Sequence, residues 1–242
     1  MTHKHTWKLM LVMLAGAALF AGALRLGWPS DSLAALAAAD PAESEIRELP
    51  EPEDQEEFPL TRAIRQRRSV RAFKPDRLTD KQTSLLLFAA QGVTCPERSL
   101  RAAPSAGATY PLEVFIFDPD GIHRYRPERH ALETLSTQDQ RDSLAQAALN
   151  QTWIAQAPTV IVIAAEYDRT TGRYGQRGIR YVHIETGHAA QNIHLQAVAL
   201  GLASVPVGAF EDDAVSELAE LPTALEPLYI IPVGYAAEET GN

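Results

Sequence analysis

The chain has 242 residues, 45% of them hydrophobic and 22% charged, with a formal net charge of −9. That balance is ordinary for a globular protein and allows one domain with a sizeable core. The single cysteine, Cys95, excludes an intrachain disulfide, and the lack of a basic surplus argues against nucleic acid as a partner.

The charge is unevenly placed. His3, Lys4, His5 and Lys8 precede Leu9–Leu24, sixteen residues without a charge. A basic start before such an apolar run reads as an export signal. It is short for a spanning helix, which needs about 20 residues. Small-residue cleavage sites occur at Ala21-Gly22-Ala23 and Ala35-Leu36-Ala37. Residues 1–39 are therefore expected to be a signal peptide or signal anchor, with the protein exported to a periplasmic or other extracytoplasmic place. Residues 40–58 hold nine acidic side chains against Arg47 alone, and are expected to form a disordered, solvated linker. Residues 59–242 are expected to form the folded domain.

Within that domain Leu60–Arg68 predicts a short helix with Leu60, Ala63 and Ile64 as its apolar positions. Thr79-Asp80-Lys81-Gln82 is a capping box opening a second helix, which Gly92 is expected to close in the left-handed conformation. Leu112–Phe117 alternates like a strand, and Asp118-Pro119-Asp120-Gly121 turns it into a second strand, Ile122–Arg126. Asp142–Ala157 predicts a helix ending before Pro158. Thr159–Ala165, TVIVIAA, reads as a central strand. From Arg177 to Leu200 the residues Val182, Thr186, Ala189, Ile193 and Ala197 recur along one helical face. Ala203–Val207 and Leu228–Val233 are expected strands, separated by a helix that begins at Asp212 or Asp213. The order is mixed α and β rather than a regular βαβ alternation, and no GxGxxG fingerprint follows a first strand.

Three stretches suit ligand chemistry. Arg67, Arg68, Ser69 and Arg71 lie where a helix gives way to extended chain, and guanidinium forks with a hydroxyl suit a phosphate. Pro104–Thr109 offers backbone amides without bulk, as close approach by a flat group requires. His183, Glu185 and His188 raise the question of a metal. Five residues along a helix leave His183 and His188 about 140° apart, however, so no metal site is expected and packing roles are favoured.

Taken together, RRSVRAFKPDRLT, AAQGVT, RAAPSAGATYPLEVFIF, GIHRYRPERHALE, YGQRGIRY, ETGHAAQNIHLQAVALGLASVPVGAF and PLYIIPVG resemble, in order and spacing, the nitroreductase superfamily of flavoproteins. Within it they are most similar to the SagB-type, or thiazole/oxazole-oxidase-like, dehydrogenase branch. The resemblance implies an α+β fold with a central, mostly antiparallel sheet flanked by helices, assembled as an intertwined homodimer that binds FMN. It places Arg67, Arg68, Ser69 and Arg71 at the FMN phosphate and ribityl chain, Pro104, Ser105, Ala106 and Gly107 along the flavin, and Pro206, Val207 and Gly208 near its pyrimidine side. It implies hydride transfer through flavin N5 on a small or peptide-borne substrate, with the electron donor undefined.

Two departures from the family pattern stand out. Where azoline-oxidising relatives carry a Lys-Tyr pair this chain has Arg173-Tyr174, leaving Tyr174 as the acid/base candidate, since arginine stays protonated. The chain also ends YAAEETGN, without the basic residues that many small nitroreductases direct at the phosphate. A flavin-binding relative without turnover, acting as a partner protein, is the alternative these departures leave open.

Overall fold

A computed structural model describes residues 45–53 and 58–237; the apolar run Leu9–Leu24 and the export reading built on it lie outside the described residues. In chain order the elements are β1 (Ile46–Glu48), α1 (Leu60–Gln66), α2 (Asp80–Gln91), β2 (Val93–Cys95), β3 (Leu100–Arg101), β4 (Leu112–Asp118), β5 (Gly121–Arg126) and β6 (Ala131–Ser136). They continue as α3 (Arg141–Ala147), α4 (Trp153–Gln156), β7 (Thr159–Ala165), α5 (Tyr167–Tyr174), α6 (Arg177–Ala199), β8 (Ala203–Ser204), α7 (Asp212–Leu218) and β9 (Glu226–Gly234).

Seven strands form one sheet in the order β1-β6-β5-β4-β7-β9-β8, and every strand pairing in it is antiparallel. All seven residues of β7 are buried, because helices cover the sheet on both faces. Val114, Ile116, Ile161 and Ile163 turn to one face, against Leu86 and Leu87 of α2 and Val182, Ala189 and Ile193 of α6. Phe115, Phe117, Val160 and Val162 turn to the other, against Leu144, Ile154 and Val215. At about 1.5–3 kcal/mol for each fully buried aliphatic or aromatic side chain, this alternation fixes the register of the central strands. The α+β reading and its antiparallel sheet therefore hold.

Several expectations need correction. Ile46–Glu48, inside the stretch predicted as solvated linker, is an edge strand paired with β6. Leu49 behind it is buried, and the Pro50 carbonyl accepts from Ser84 Oγ at 2.6 Å. One buried leucine and a paired edge outweigh local acidity there. Gly92 has φ −59° and ψ 147°, so α2 ends by running straight into β2. Its glycine serves close approach, since a Cβ would stand 2.2 Å from the Phe88 ring. The helix expected over Asp142–Ala157 is broken into α3 and α4, with Leu149 and Asn150 at φ 56° and 58° between them. β6 was not anticipated. The strand expected over Ala203–Val207 is regular only at Ala203–Ser204, with isolated bridges from Ser204 to Ser69 and from Val207 to Ile230. On α1 only Ala63 is buried, while Leu60 and Ile64 are 63% and 56% exposed. The capping box is present as predicted, with Gln82 N donating to Thr79 Oγ1 and Thr79 N donating to Gln82 Oε1. Among the described residues no helix is long and apolar enough to cross a membrane.

Candidate functional site

The arginine stretch leaves α1 as extended chain and docks on the end of β8. Ser69 bridges Ser204 side by side, and Val70 N donates to the Ser204 carbonyl at 3.2 Å. This brings Arg67–Arg71 beside the segment that continues into Pro206, Val207 and Gly208. Val207 is buried and locked to Ile230 by two backbone hydrogen bonds of 2.8 and 3.0 Å, while Gly208 lies exposed next to it.

The three arginines differ in what they can offer. Arg68 Nη1 donates to the carbonyls of Arg65 and Arg67 at 2.9 and 2.8 Å, so it staples the end of α1. Arg71 lies over the Trp153 ring at 5.5 Å. Neither Arg67 nor Arg71 has a carboxylate partner among the described residues, whereas Arg77, Arg101, Arg124, Arg126, Arg129, Arg141 and Arg169 all do. Uncommitted guanidiniums beside a hydroxyl are the donor set a phosphate monoester needs. Behind them His194 of α6 is buried, its Nδ1 2.7 Å from Ser204 Oγ. Burial, and then the Arg67 charge, push this imidazole down to about 4, and its Nε2 has no partner among the described residues.

The second cluster is built on the loop Pro104–Tyr110. Gly107, Ala108 and Tyr110 all have positive φ, and the loop is braced from every side. Tyr110 N donates to Ser105 Oγ at 2.9 Å, Thr109 Oγ1 to the Ala106 carbonyl at 3.1 Å, and Arg169 Nη1 to the Tyr110 carbonyl at 3.0 Å. Arg173 Nη1 donates to the Gly107 carbonyl at 3.0 Å. A Cβ on Gly107 would stand 2.5 Å from Tyr174 Oη and 2.7 Å from Arg173 Nη1. Tyr174 therefore lies directly on the loop, edge-on to Tyr181 with ring centroids 5.1 Å apart. Arg173 is a clamp for the loop carbonyl, consistent with its unsuitability as a base.

Along this loop runs a groove of about 260 Å³ between Pro104–Ala106 and the α6 side chains Tyr181, Ile184, Glu185 and His188. Glu185 is 2% exposed, and its Oε1 has no hydrogen-bond partner among the described residues. Burial pushes its carboxyl up to about 7, against the Ser105 hydroxyl and the Arg101 charge, which lower it. His183 instead pairs with Tyr167, Nε2 to Oη 2.6 Å.

The structure thus gathers the predicted residues into two groups, Arg67–Arg71 with Pro206–Gly208, and Pro104–Gly107 with Tyr174. Sequence reasoning passed over His194 and Ser204, and it weighed Glu185 only as a metal ligand or packing residue. The available signal was an ionisable side chain beside the apolar stripe of a long helix, next to Ile193 in one case and Thr186 in the other.

These features agree with what the chain resembles in sequence and fold. The nitroreductase family model matches residues 64–235. "Putative nitroreductase MJ1384" of Methanocaldococcus jannaschii is 46% identical over 191 residues, covering 76% of this chain and 95% of that protein. The crystal structure of a "putative nitroreductase" from Ralstonia eutropha JMP134 superposes with a TM-score of 0.74 at 28% identity, over 83% of this chain and 94% of that one. A chain of the Escherichia coli microcin synthetase McbBCD complex shares the fold, with a TM-score of 0.62 at 21% identity over 88% of this chain and 84% of that one. The chain belongs to the nitroreductase family of oxidoreductases.

Proposed function

We propose that the protein is an FMN-dependent oxidoreductase that works as a homodimer outside the cytoplasm, on a small or peptide-borne planar substrate. The observation that carries this reading is the pair of uncommitted guanidiniums, Arg67 and Arg71, set beside Ser69 and the Pro206–Gly208 segment. FMN, when bound, supplies hydride acceptance and return at flavin N5.

The protein's own residues have distinct tasks. Arg67, Arg71 and the Ser69 hydroxyl hold the phosphate by charge-assisted hydrogen bonds. Arg68 fixes the end of the helix that presents them. Pro104, Ser105, Ala106 and Gly107 form a wall with little side-chain bulk, and the bracing of that wall keeps its backbone still. Tyr174 Oη is the group placed to hold or pass a proton on the substrate side. With Arg173 engaged by Gly107 O, a basic partner for Tyr174 is missing from the segment. That favours a substrate other than a peptide azoline within the SagB-type branch.

The homodimer is supported by helix geometry. Glu185 and His194 mark the two clusters, and nine residues along α6 set them about 180° apart around the helix and about 13 Å along it. That separation suits one ligand taking the two clusters from two copies of the chain. The exposed Leu60 and Ile64 on α1 and Ile179 and Ile184 on α6 are the surface such a partner would cover.

The test is direct. Purified protein is expected to be yellow and to release FMN on denaturation. Dithionite should bleach it, and a quinone or nitroarene should restore the colour. Colourless protein that cannot be reconstituted with FMN overturns the reading. A reporter fused to residues 1–45 and found in the cytosol overturns the extracytoplasmic part alone.

A further inference from the structure

We propose that Glu185 is a positioning residue of the loop-side wall, holding a proton at Oε1 and donating it as a hydrogen bond to an acceptor edge of the isoalloxazine ring seated on Pro104–Ala106. The proposal rests on the FMN reading above and adds to it a pH-dependent contact.

Three observations converge on this carboxyl. It lines the groove formed by the Pro104–Ala106 wall. It is 2% exposed, with Oε1 buried and without a partner among the described residues. And the charged groups around it are engaged elsewhere. Arg101 of β3 binds Gln91 Oε1 at 3.2 Å and Glu128 Oε1 at 2.8 Å, and stacks over the Tyr110 ring at 4.8 Å. Arg173 of α5 is held by the Gly107 carbonyl at 3.0 Å. Tyr181 and His188 of α6 line the same groove, and Tyr174 of α5 stands edge-on to Tyr181. The Ser105 hydroxyl accepts from Tyr110 N, and its own O–H is the neighbouring hydrogen bond that opposes the effect of burial on the carboxyl.

An ionised carboxylate here would be buried without a cation, which costs several kcal/mol. A neutral acid avoids that cost and leaves one O–H to place. Against a flat, uncharged ring on the loop, the same O–H becomes a donor in a dry groove, where a hydrogen bond is stronger than in water. An ionised Glu185 would set a bare negative charge against the ring's acceptor edge. Ring binding therefore favours the protonated form and raises the pH at which the group loses its proton. By linkage, the Glu185 contact adds no pH dependence on the acid side of neutrality, where the phosphate titrates, and weakens binding on the alkaline side.

The test is FMN affinity of the full chain, read by quenching of FMN fluorescence, across about 1.5 pH units either side of neutrality. The wild type is expected to bind FMN about tenfold more weakly at the alkaline end, the effect of a one-unit change on binding. Glu185→Gln, a neutral donor of the same shape, should lose the alkaline fall and keep only the acid-side change set by the phosphate. His188→Asn, which removes the imidazole that lines the same groove, should keep the alkaline fall. A second readout needs no variant: near pH 7.5, where a phosphate monoester with its second pKa of about 6 is already ionised, calorimetry in buffers of different ionisation enthalpy should show proton uptake on FMN binding. Glu185→Gln with the wild-type profile, or no proton uptake by the wild type, overturns the proposal while leaving the FMN reading intact. Absence of FMN binding at every pH overturns both.

Discussion

The buried pair on α6 makes a prediction about stability that needs no cofactor. His194 is 4% exposed and Glu185 2% exposed. Burial drives them in opposite directions, the imidazole down to about 4 and the carboxyl up to about 7. In the unfolded chain they titrate near 6.5 and 4.3. For His194 the unfolded state takes up a proton first as pH falls, so stability is lost below about 6.5; between pH 7 and pH 5 the loss is about 2 kcal/mol. For Glu185 the folded state takes up the proton first, so stability is gained over the same interval, again about 2 kcal/mol. The two terms oppose one another, and replacing either side chain unmasks the other. Relative to wild type, His194→Asn, which can still reach Ser204, should gain about 2 kcal/mol on going from pH 7 to pH 5, and Glu185→Gln should lose about the same. Urea unfolding of the FMN-free protein, compared at the two pH values, measures these differences. Terms common to all three proteins cancel, including that of His130, which burial also pushes down. Parallel pH profiles for the wild type and both variants would refute the reasoning.

Other substitutions separate roles within the site. Arg67→Ala with Arg71→Ala should weaken FMN binding by at least a hundredfold in equilibrium dialysis, since each charge-assisted hydrogen bond contributes about 1.5–3 kcal/mol. Arg68→Ala should leave that affinity within a few-fold and instead lower the thermal midpoint, because its guanidinium caps α1. Gly107→Val places a β-branched residue at φ 62° and a Cβ where Tyr174 Oη and Arg173 Nη1 stand; a loss of about 2 kcal/mol or more is expected by urea unfolding. A chain beginning at residue 59 should be less stable than one beginning at residue 45, by about 2–4 kcal/mol. It lacks the β1–β6 pairing, buried Leu49 and the Pro50–Ser84 hydrogen bond.

Much of the fold was legible where one periodicity dominated. TVIVIAA reads as a strand covered on both faces, and the stripe from Val182 to Ala197 as a helix with one apolar face, and both are found. The capping box announced α2 because its two hydrogen bonds are local. What escaped depended on partners distant in sequence. Ile46–Glu48 becomes a strand only because β6 offers an edge about 85 residues later, and composition alone favoured a solvated tether. The two positive-φ residues Leu149 and Asn150 broke a helix that propensity would have continued. At the site, the arginine and small-residue stretches were legible as donor-rich and bulk-poor chain. That Arg67 and Arg71 are uncommitted while Arg68 is engaged locally is a matter of tertiary pairing. The same is true of Glu185 and His194: their residue types are visible in the sequence, but their isolation from counter-charges is not.

The two-copy reading of the site yields a test that dimerisation alone would not pass. Arg67→Ala with Arg71→Ala disables the phosphate group of contacts, and Gly107→Val disables the loop wall. If one FMN draws both groups from a single chain, each variant carries a broken half in every site. Mixing the two variants then restores nothing. If FMN takes its phosphate contacts from one copy and its wall from the other, a mixed dimer holds one site with both defects and one with neither. Random pairing of equal amounts makes half the dimers mixed, so FMN content should recover to about a quarter of the wild-type value. Co-expression with two affinity tags isolates the mixed species, in which occupancy should reach about one FMN per dimer. The intact site in that species should also keep the wild-type pH profile of FMN affinity, because its Glu185 faces an unaltered loop. Mixed dimers that remain colourless would place the whole site in one chain, and would require Glu185 and His194 to act on separate ligands.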